Sequence, residues 1–199
     1  MKVVYKPQNE VTSAAAKAAT GRTFEDWYKE LDAHGGVQAG RRNLTQLLFS
    51  QMKVDAWWST TIVVEYEKQR GLLEKDGLPK GYNICVTKAL PAPPETALQP
   101  FSDGSWWLGK GVKFAEGAAF DAGDGHQGVF KKVTPGKIIR FTWNGPNHHP
   151  CELVEIKATV TAGKTSLLIN HDRIQTRATA DGMRDAWAAV LNALKDRLR

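Results

Sequence analysis

The C-terminal stretch constrains the fold more than any other part of the chain. Thr179 stands as an N-cap, and Met183, Trp187, Val190, Leu191, Leu194 and Leu198 then fall on one stripe of a helix. Lys195, Arg197 and Arg199 sit at its C-terminal end, where the helix dipole favours cations. Such a rod must bury its apolar side. The residues before it offer a surface: segments with strand character at about Ala118–Asp121, His126–Lys132, Lys137–Trp143, Glu152–Thr161 and Thr165–His171. Val154, Ile156, Ala158 and Val160 alternate with polar neighbours, which gives a sheet one apolar face and one wet face. The expected architecture is α+β, a curved antiparallel sheet wrapped round the long C-terminal helix.

The connections agree with this. Ala122-Gly123-Asp124-Gly125 and Ala162-Gly163 suit hairpins, and Thr134-Pro135-Gly136-Lys137 puts Pro and Gly where a type II turn wants them. Upstream, Tyr82–Leu90 reads as a further strand with Ile84 and Val86 on one face. Pro91, Pro93 and Pro94 break it, and Pro94-Glu95 opens a short helix carrying Ala97, Leu98 and Phe101, followed by a loop with Trp106-Trp107. The polar stretch Glu74–Gly81 reads as a linker. It divides the chain into a small helical bundle over residues 1–78 and the sheet-and-helix domain over residues 79–199.

In the first half, residues 9–20 form a short Ala-rich helix. Thr23 and Asp26 make a capping box for a better one carrying Phe24, Trp27, Tyr28 and Leu31, which His34-Gly35-Gly36 ends. Asn43 is the expected N-cap of a helix with Leu44, Leu47, Leu48 and Met52 on one face. The aromatic spacing over about Asp55–Arg70 gives another, against a competing strand at Thr60–Val64 suggested by its β-branched residues. Adjacent helical residues point about 100° apart. One of Trp57 and Trp58 is therefore expected in the core and the other at the boundary with the second domain.

The chain carries 27 basic and 21 acidic residues, a net charge of +6, split as +1 before Leu78 and +5 from there on. The Lys and Arg residues are scattered and no nucleic-acid motif accompanies them. The charge therefore reads as solubility, and nucleic acid is not an expected partner. No apolar run approaches the roughly 20 residues of a membrane span. The opening Met1-Lys2-Val3-Val4-Tyr5-Lys6-Pro7 has no signal-peptide core. A cytoplasmic protein is expected, in which Cys85 and Cys151 stay free thiols.

The order of a strand, an Ala-Pro-Pro-Glu helix, a Trp-Trp loop, "GVFKKVTPGKIIRFTWN", "VEIKATVTAGKTSLLINH" and a terminal "GMRDAWAAVLNALKDRL" resembles the SRPBCC (START-like, helix-grip) superfamily. Within it, the chain is most similar to the activator of heat-shock protein 90 ATPase homologue-like group, over about Gly81 to Arg199. The first half resembles a short helical domain of unknown function that precedes such domains, through Trp27-Tyr28 and Trp57-Trp58…Tyr66-Glu67.

The superfamily resemblance implies a cavity between sheet and terminal helix that takes a hydrophobic or amphipathic small molecule. Candidate lining residues are Trp106, Trp107, Phe114, Phe120, Phe130, Phe141, Trp143, Met183 and Trp187, each of which could equally fill the core. His171 or Arg140 would orient the ligand. The same resemblance implies two alternatives: a protein-interaction module, with a chaperone or other protein as partner, and a cyclase- or aromatase-type enzyme. For acid–base work the leading residues are His126 and His171, with Glu116, Asp121 and Arg140 behind them. No shared catalytic set carries over, and no cofactor is expected. His148-His149-Pro150-Cys151, with His171 as an added ligand, is the cluster of metal-ligand types, but adjacent histidines fit one ion poorly. It reads as a polar loop, and no metal is expected.

Overall fold

The alternation in the second half resolves into one antiparallel sheet. Its strands are β1 (Tyr82–Leu90), β2 (Ala119–Gly123), β3 (His126–Thr134), β4 (Ile138–Trp143), β5 (Glu152–Thr161) and β6 (Lys164–Ile174), in the order β1-β6-β5-β4-β3-β2. The structure, a computed structural model, describes residues 3–102, 106–109, 111–149, 152–161 and 164–198. Asp124 at φ 53° and Gly125 at φ 77° supply the two positive angles that a type I′ hairpin needs between β2 and β3. The Pro-Gly turn between β3 and β4 closes through the Lys137 N–H, which donates to the Thr134 carbonyl at 3.1 Å.

The register then lines up one row across the inner face. Ile84 lies opposite His171, His171 opposite Val154, Val154 opposite Phe141 and Phe141 opposite Phe130. A histidine thus sits mid-row among apolar side chains, and strand parity puts Glu152 on the face of Val154 and Ile156. The alternation outlasts the core: Val160, expected on the buried face, is 58% exposed because the far end of the β5–β6 hairpin runs beyond the buried layer.

Helix α7 (Arg177–Arg197) lies over β1 and β6 and seals this face with Met183, Trp187, Val190, Leu191 and Leu194, all buried. At about 1.5–3 kcal/mol per buried side chain, this stripe contributes on the order of 10 kcal/mol, comparable with the whole net stability of a domain. Its N-cap is Thr176, not the expected Thr179. The Thr176 hydroxyl accepts from the Thr179 N–H at 3.1 Å, while the Thr179 hydroxyl donates to the Asn147 carbonyl at 3.0 Å. Helix α6 (Pro94–Ser102) packs on β5 and β6. The indole N–H groups of Trp106 and Trp107 donate to the carbonyls of Pro100 and Phe101, at 2.7 and 3.1 Å. No helix among the described residues is long and apolar enough to cross a membrane.

The chain forms two compact units, Pro7–Gly81 and Tyr82–Arg199, the latter joined by the opening residues up to Lys6. Those opening residues run against α7: a Cβ added to Gly182 would stand 2.4 Å from the Val4 carbonyl oxygen. The other unit contains α1 (Ser13–Thr20), α2 (Phe24–Ala33), α3 (Gly36–Ala39), α4 (Arg41–Gln46), a π-turn at Leu47–Gln51 and α5 (Ala56–Gln69). The Thr23–Asp26 capping box forms as expected. Asn43 does not cap. Gly40, with φ 80°, turns the chain into α4 earlier, and the Asn43 side chain donates to the Ala39 carbonyl at 2.9 Å. Residues 60–64 are helical, with Asp55 as N-cap. Trp57 and Trp58 are both buried in this unit's core, edge to face at 4.9 Å, so both of them, and not one, belong to it. The Glu67 carboxylate, also buried, accepts from Arg41 Nε at 2.7 Å and Lys80 Nζ at 3.1 Å.

Two predictions follow from this packing. Gly182→Ala forces a Cβ against backbone, and is expected to cost about 1–3 kcal/mol and to hasten proteolysis near Tyr5. Urea unfolding and limited digestion measure both, and unchanged values would contradict the contact. In the helical unit, the Tyr66 hydroxyl and then Arg70 hold the Asp32 carboxyl below its usual range. A depressed carboxylate contributes stability above its ordinary pKa and loses it as pH falls through the native value. Asp32→Asn should therefore flatten the decline in stability below about pH 4.

Candidate functional site

The loop between β4 and β5 delivers polar side chains to the inner face of the sheet. Gly145 lets this loop come close: a Cβ there would lie 2.7 Å from Cδ2 of His126. Thr179 of α7 holds the loop by its Asn147 carbonyl. His148 is thereby carried over Glu152, the first residue of β5, and His171 of the neighbouring β6 faces the same point.

The contacts form one connected network. His148 Nδ1 donates to Glu152 Oε2, and His171 Nε2 donates to the same oxygen at 2.9 Å. Glu152 Oε1 accepts the backbone N–H of His149 at 3.1 Å. The Tyr5 hydroxyl lies 3.0 Å from His148 Nε2 and 2.5 Å from His126 Nε2, and His126 Nδ1 is 3.2 Å from the Gly123 carbonyl oxygen. On the other side, the Trp187 indole N–H donates to His171 Nδ1 at 3.3 Å. The side chains of His148, Glu152 and His171 have 0% exposure. They are the group of metal-ligating residue types found together among the described residues, their donor atoms within 4.8 Å of one another.

Burial alone would raise the Glu152 carboxyl, but hydrogen bonds from His148 and His171 outweigh it and leave it below the usual carboxylate range. Burial pushes His171 and His126 down. It pushes the Tyr5 hydroxyl up to about 12, with the charges of Glu152 and Asp124 adding to the effect. A carboxylate out of water is tolerable only while its donors stay in place. Glu152→Ala leaves three buried donors without their acceptor and is expected to cost about 3–5 kcal/mol in urea unfolding. A cost under about 1 kcal/mol would show that the network is not intact in solution.

A separate feature lies at α6. A pocket of about 560 Å³ is floored by Leu98, Phe114, Val133 and Pro135 and edged by Glu95, Thr96 and Gln99. Of the residues expected to line a cavity between sheet and helix, only Phe114 reaches it. Trp107, Phe120, Phe130, Phe141, Trp143, Met183 and Trp187 are buried, and the aromatic rings among them pack on one another: Trp107–Trp187 centroids are 5.9 Å apart, Trp143–Trp187 5.7 Å and Phe120–Phe130 5.0 Å. Trp106 is half-buried, with the Arg197 guanidinium 4.7 Å from its ring centroid. His171 belongs to the polar network. Arg140 donates from Nε to Glu155 at 2.9 Å, and Glu116 and Asp121 accept backbone N–H groups of Val133 and Gly123, so all three are engaged locally.

Sequence reasoning found His148, His126 and His171 but not Glu152 or Tyr5. Glu152 carried a signal: it stands two residues before Val154, on the parity already assigned to the buried face. Of the loop cluster His148-His149-Pro150-Cys151, Pro150 and Cys151 lie outside the described residues. Cys85 is a free, exposed thiol.

With this geometry in hand, three solved structures are similar in fold. CalU16 from Micromonospora echinospora is 15% identical over 58% of this chain and 74% of its own, with a TM-score of 0.50. DynU16, a protein of the dynemicin biosynthetic locus, is 21% identical over 58% of this chain and 46% of its own, with a TM-score of 0.51. The Aha1 dimer from Colwellia psychrerythraea is 22% identical over 59% of this chain and 96% of its own, with a TM-score of 0.50. No curated protein matches the chain. The sequence profile of the family "Activator of Hsp90 ATPase homolog 1-like protein" matches residues 96–199, just over half of the chain.

Proposed function

The chain belongs to the activator of Hsp90 ATPase homolog 1-like protein family, and from that premise we propose that its sheet-and-helix unit binds an amphipathic small molecule in the pocket at α6. The pocket carries the reading. Its volume of about 560 Å³ lies within the roughly 300–1,000 Å³ usual for small-molecule sites, and it combines an apolar floor with a few polar groups. The close packing of the aromatic side chains between sheet and helix favours this position over the one expected from the sequence.

Magnitudes say what kind of ligand suits. An apolar group burying about 200 Å² gains about 5 kcal/mol at 25 cal/mol per Å². Association costs at least about 4 kcal/mol. The apolar floor therefore yields weak binding alone, and contacts to Glu95, Thr96 and Gln99 must supply the rest. A molecule with an apolar body and a hydrogen-bond donor directed at Glu95 meets both needs.

A second reading follows from the family name and from the +5 charge after Leu78: the unit docks on a chaperone or other acidic protein, in a salt-dependent manner. The two readings separate experimentally. Val133→Trp fills the pocket without touching surface charge. Native mass spectrometry of the full chain from its own host should show a bound small molecule on the parent protein and none on this variant. An adduct equally present on the variant, or none on either together with unchanged fluorescence across a panel of lipids and aromatic compounds, would overturn the first reading.

A further inference from the structure

We propose that His148, Glu152 and His171 form a site for a divalent transition-metal ion of the zinc class. The donor atoms are His148 Nδ1, Glu152 Oε2 and His171 Nε2, buried and within 4.8 Å of one another. Two imidazoles and one carboxylate suit zinc and its neighbours rather than magnesium or calcium, which prefer oxygen ligands throughout. Three protein ligands leave a fourth position for water.

Two of the three ligands are held from behind, as metal ligands are. Glu152 Oε1 accepts the His149 N–H at 3.1 Å, which leaves Oε2 as the ligand atom. His148 Nε2 is fixed by the Tyr5 hydroxyl, itself backed by His126. His171 instead accepts the Trp187 indole N–H in the metal-free network. One of the three separations is close to what an ion requires. His171 Nε2 and Glu152 Oε2 are 2.9 Å apart, whereas bonds of about 2.0–2.1 Å in tetrahedral geometry separate two ligands by about 3.3 Å. That pair opens by a few tenths of an ångström, and the shorter His148–Glu152 contact must open further to admit an ion.

The hydrogen-bond chain behind His148 is compatible with an ion. Tyr5 has one hydroxyl hydrogen and two ring nitrogens to serve, at 3.0 and 2.5 Å. His126 Nδ1 donates to the Gly123 carbonyl, so its Nε2 accepts from Tyr5. His148 Nε2 must then donate to Tyr5, while His148 Nδ1 also faces the Glu152 carboxylate. Without an ion, one proton shared between Glu152 Oε2 and His148 Nδ1 completes the network. A metal on His148 Nδ1 takes the place of that proton. The chain from His148 Nε2–H through Tyr5 to His126 is then complete with neutral rings, and the cation offsets the buried carboxylate.

One contact must change. A metal on His171 Nε2 leaves the ring proton on Nδ1, facing the Trp187 indole N–H, so the 3.3 Å contact opens. This supplies a readout distinct from folding. The full-length protein, stripped with chelator, is titrated with Co²⁺ and Zn²⁺. The expected result is one ion per chain, a visible Co²⁺ ligand-field band that Zn²⁺ removes, and a shift of the Trp187 indole N–H resonance. His148→Ala and His171→Gln should each weaken binding at least about 100-fold, and Tyr5→Phe about 10-fold with an unchanged far-ultraviolet spectrum. Absence of the band and of Zn²⁺ uptake by the parent protein would overturn the site. So would binding that survives both histidine substitutions, or an unmoved Trp187 resonance at saturation. If the histidine variants do not fold, the parent titration and Tyr5→Phe still decide.

Discussion

The packing of one helix face on one sheet face, centred on Trp187, is what the rest of the sheet-and-helix unit depends on. Trp187 is fully buried and meets Trp107, Phe141 and Trp143 within 6.5 Å between centroids, so it fills the centre of the layer. Its one polar atom is spent on His171. A Leu at this position would fill volume but leave the ring nitrogen of His171 without its donor. The same side chain therefore sets both the apolar layer and the orientation of the buried polar group, and neither can be repacked without the other.

That coupling explains why a carboxylate is tolerated on the inner face. Glu152 sits opposite Trp143 in the β4–β5 register, in a position that alternation reserves for an apolar residue. Four separate parts of the chain converge to satisfy it: the loop at His148 and His149, strand β6 at His171, the opening residues at Tyr5, and α7 through Trp187. Each has a different sequence separation from Glu152, up to 147 residues for Tyr5. Buried polar groups joined from such distant segments specify a single arrangement, since any slip in register would leave a charge without partners.

The fold was legible because it rests on periodicity. Strand alternation from Tyr82 to His171 and the stripe from Met183 to Leu194 are local patterns, and the Asp124-Gly125 and Pro135-Gly136 turns are local chemistry. Helix starts were less legible. Asn43 and Thr179 are good capping residues, yet Gly40 and Thr176 took the role because the surrounding chain bent earlier or engaged the hydroxyl elsewhere. The polar network was half visible: parity alone places Glu152 and His171 on one face, but nothing local announces that Tyr5 reaches them. The pocket was not visible at all, because volume left between α6 and the β3–β4 turn depends on how neighbouring rings pack, and sequence shows only that the rings are there.

The aromatic inventory after Trp106 resembles the lining of a cavity, and among the described residues its rings pack on one another. Large rings on a curved sheet can either stand apart round a ligand or lean on one another, and edge-to-face contacts favour the second. Here the centroid separations of 4.7 to 6.5 Å run continuously from Phe114 through Phe130, Phe141 and Trp187. Phe114 packs on Phe130 and Trp107 and also lines the pocket. The pocket beside α6 thus lies at one edge of the ring packing, while the buried carboxylate and its histidines occupy the other end, where β5 begins. The ring packing separates the unit's two candidate sites into an apolar edge and a polar end, chemistries that one merged cavity would force into the same space.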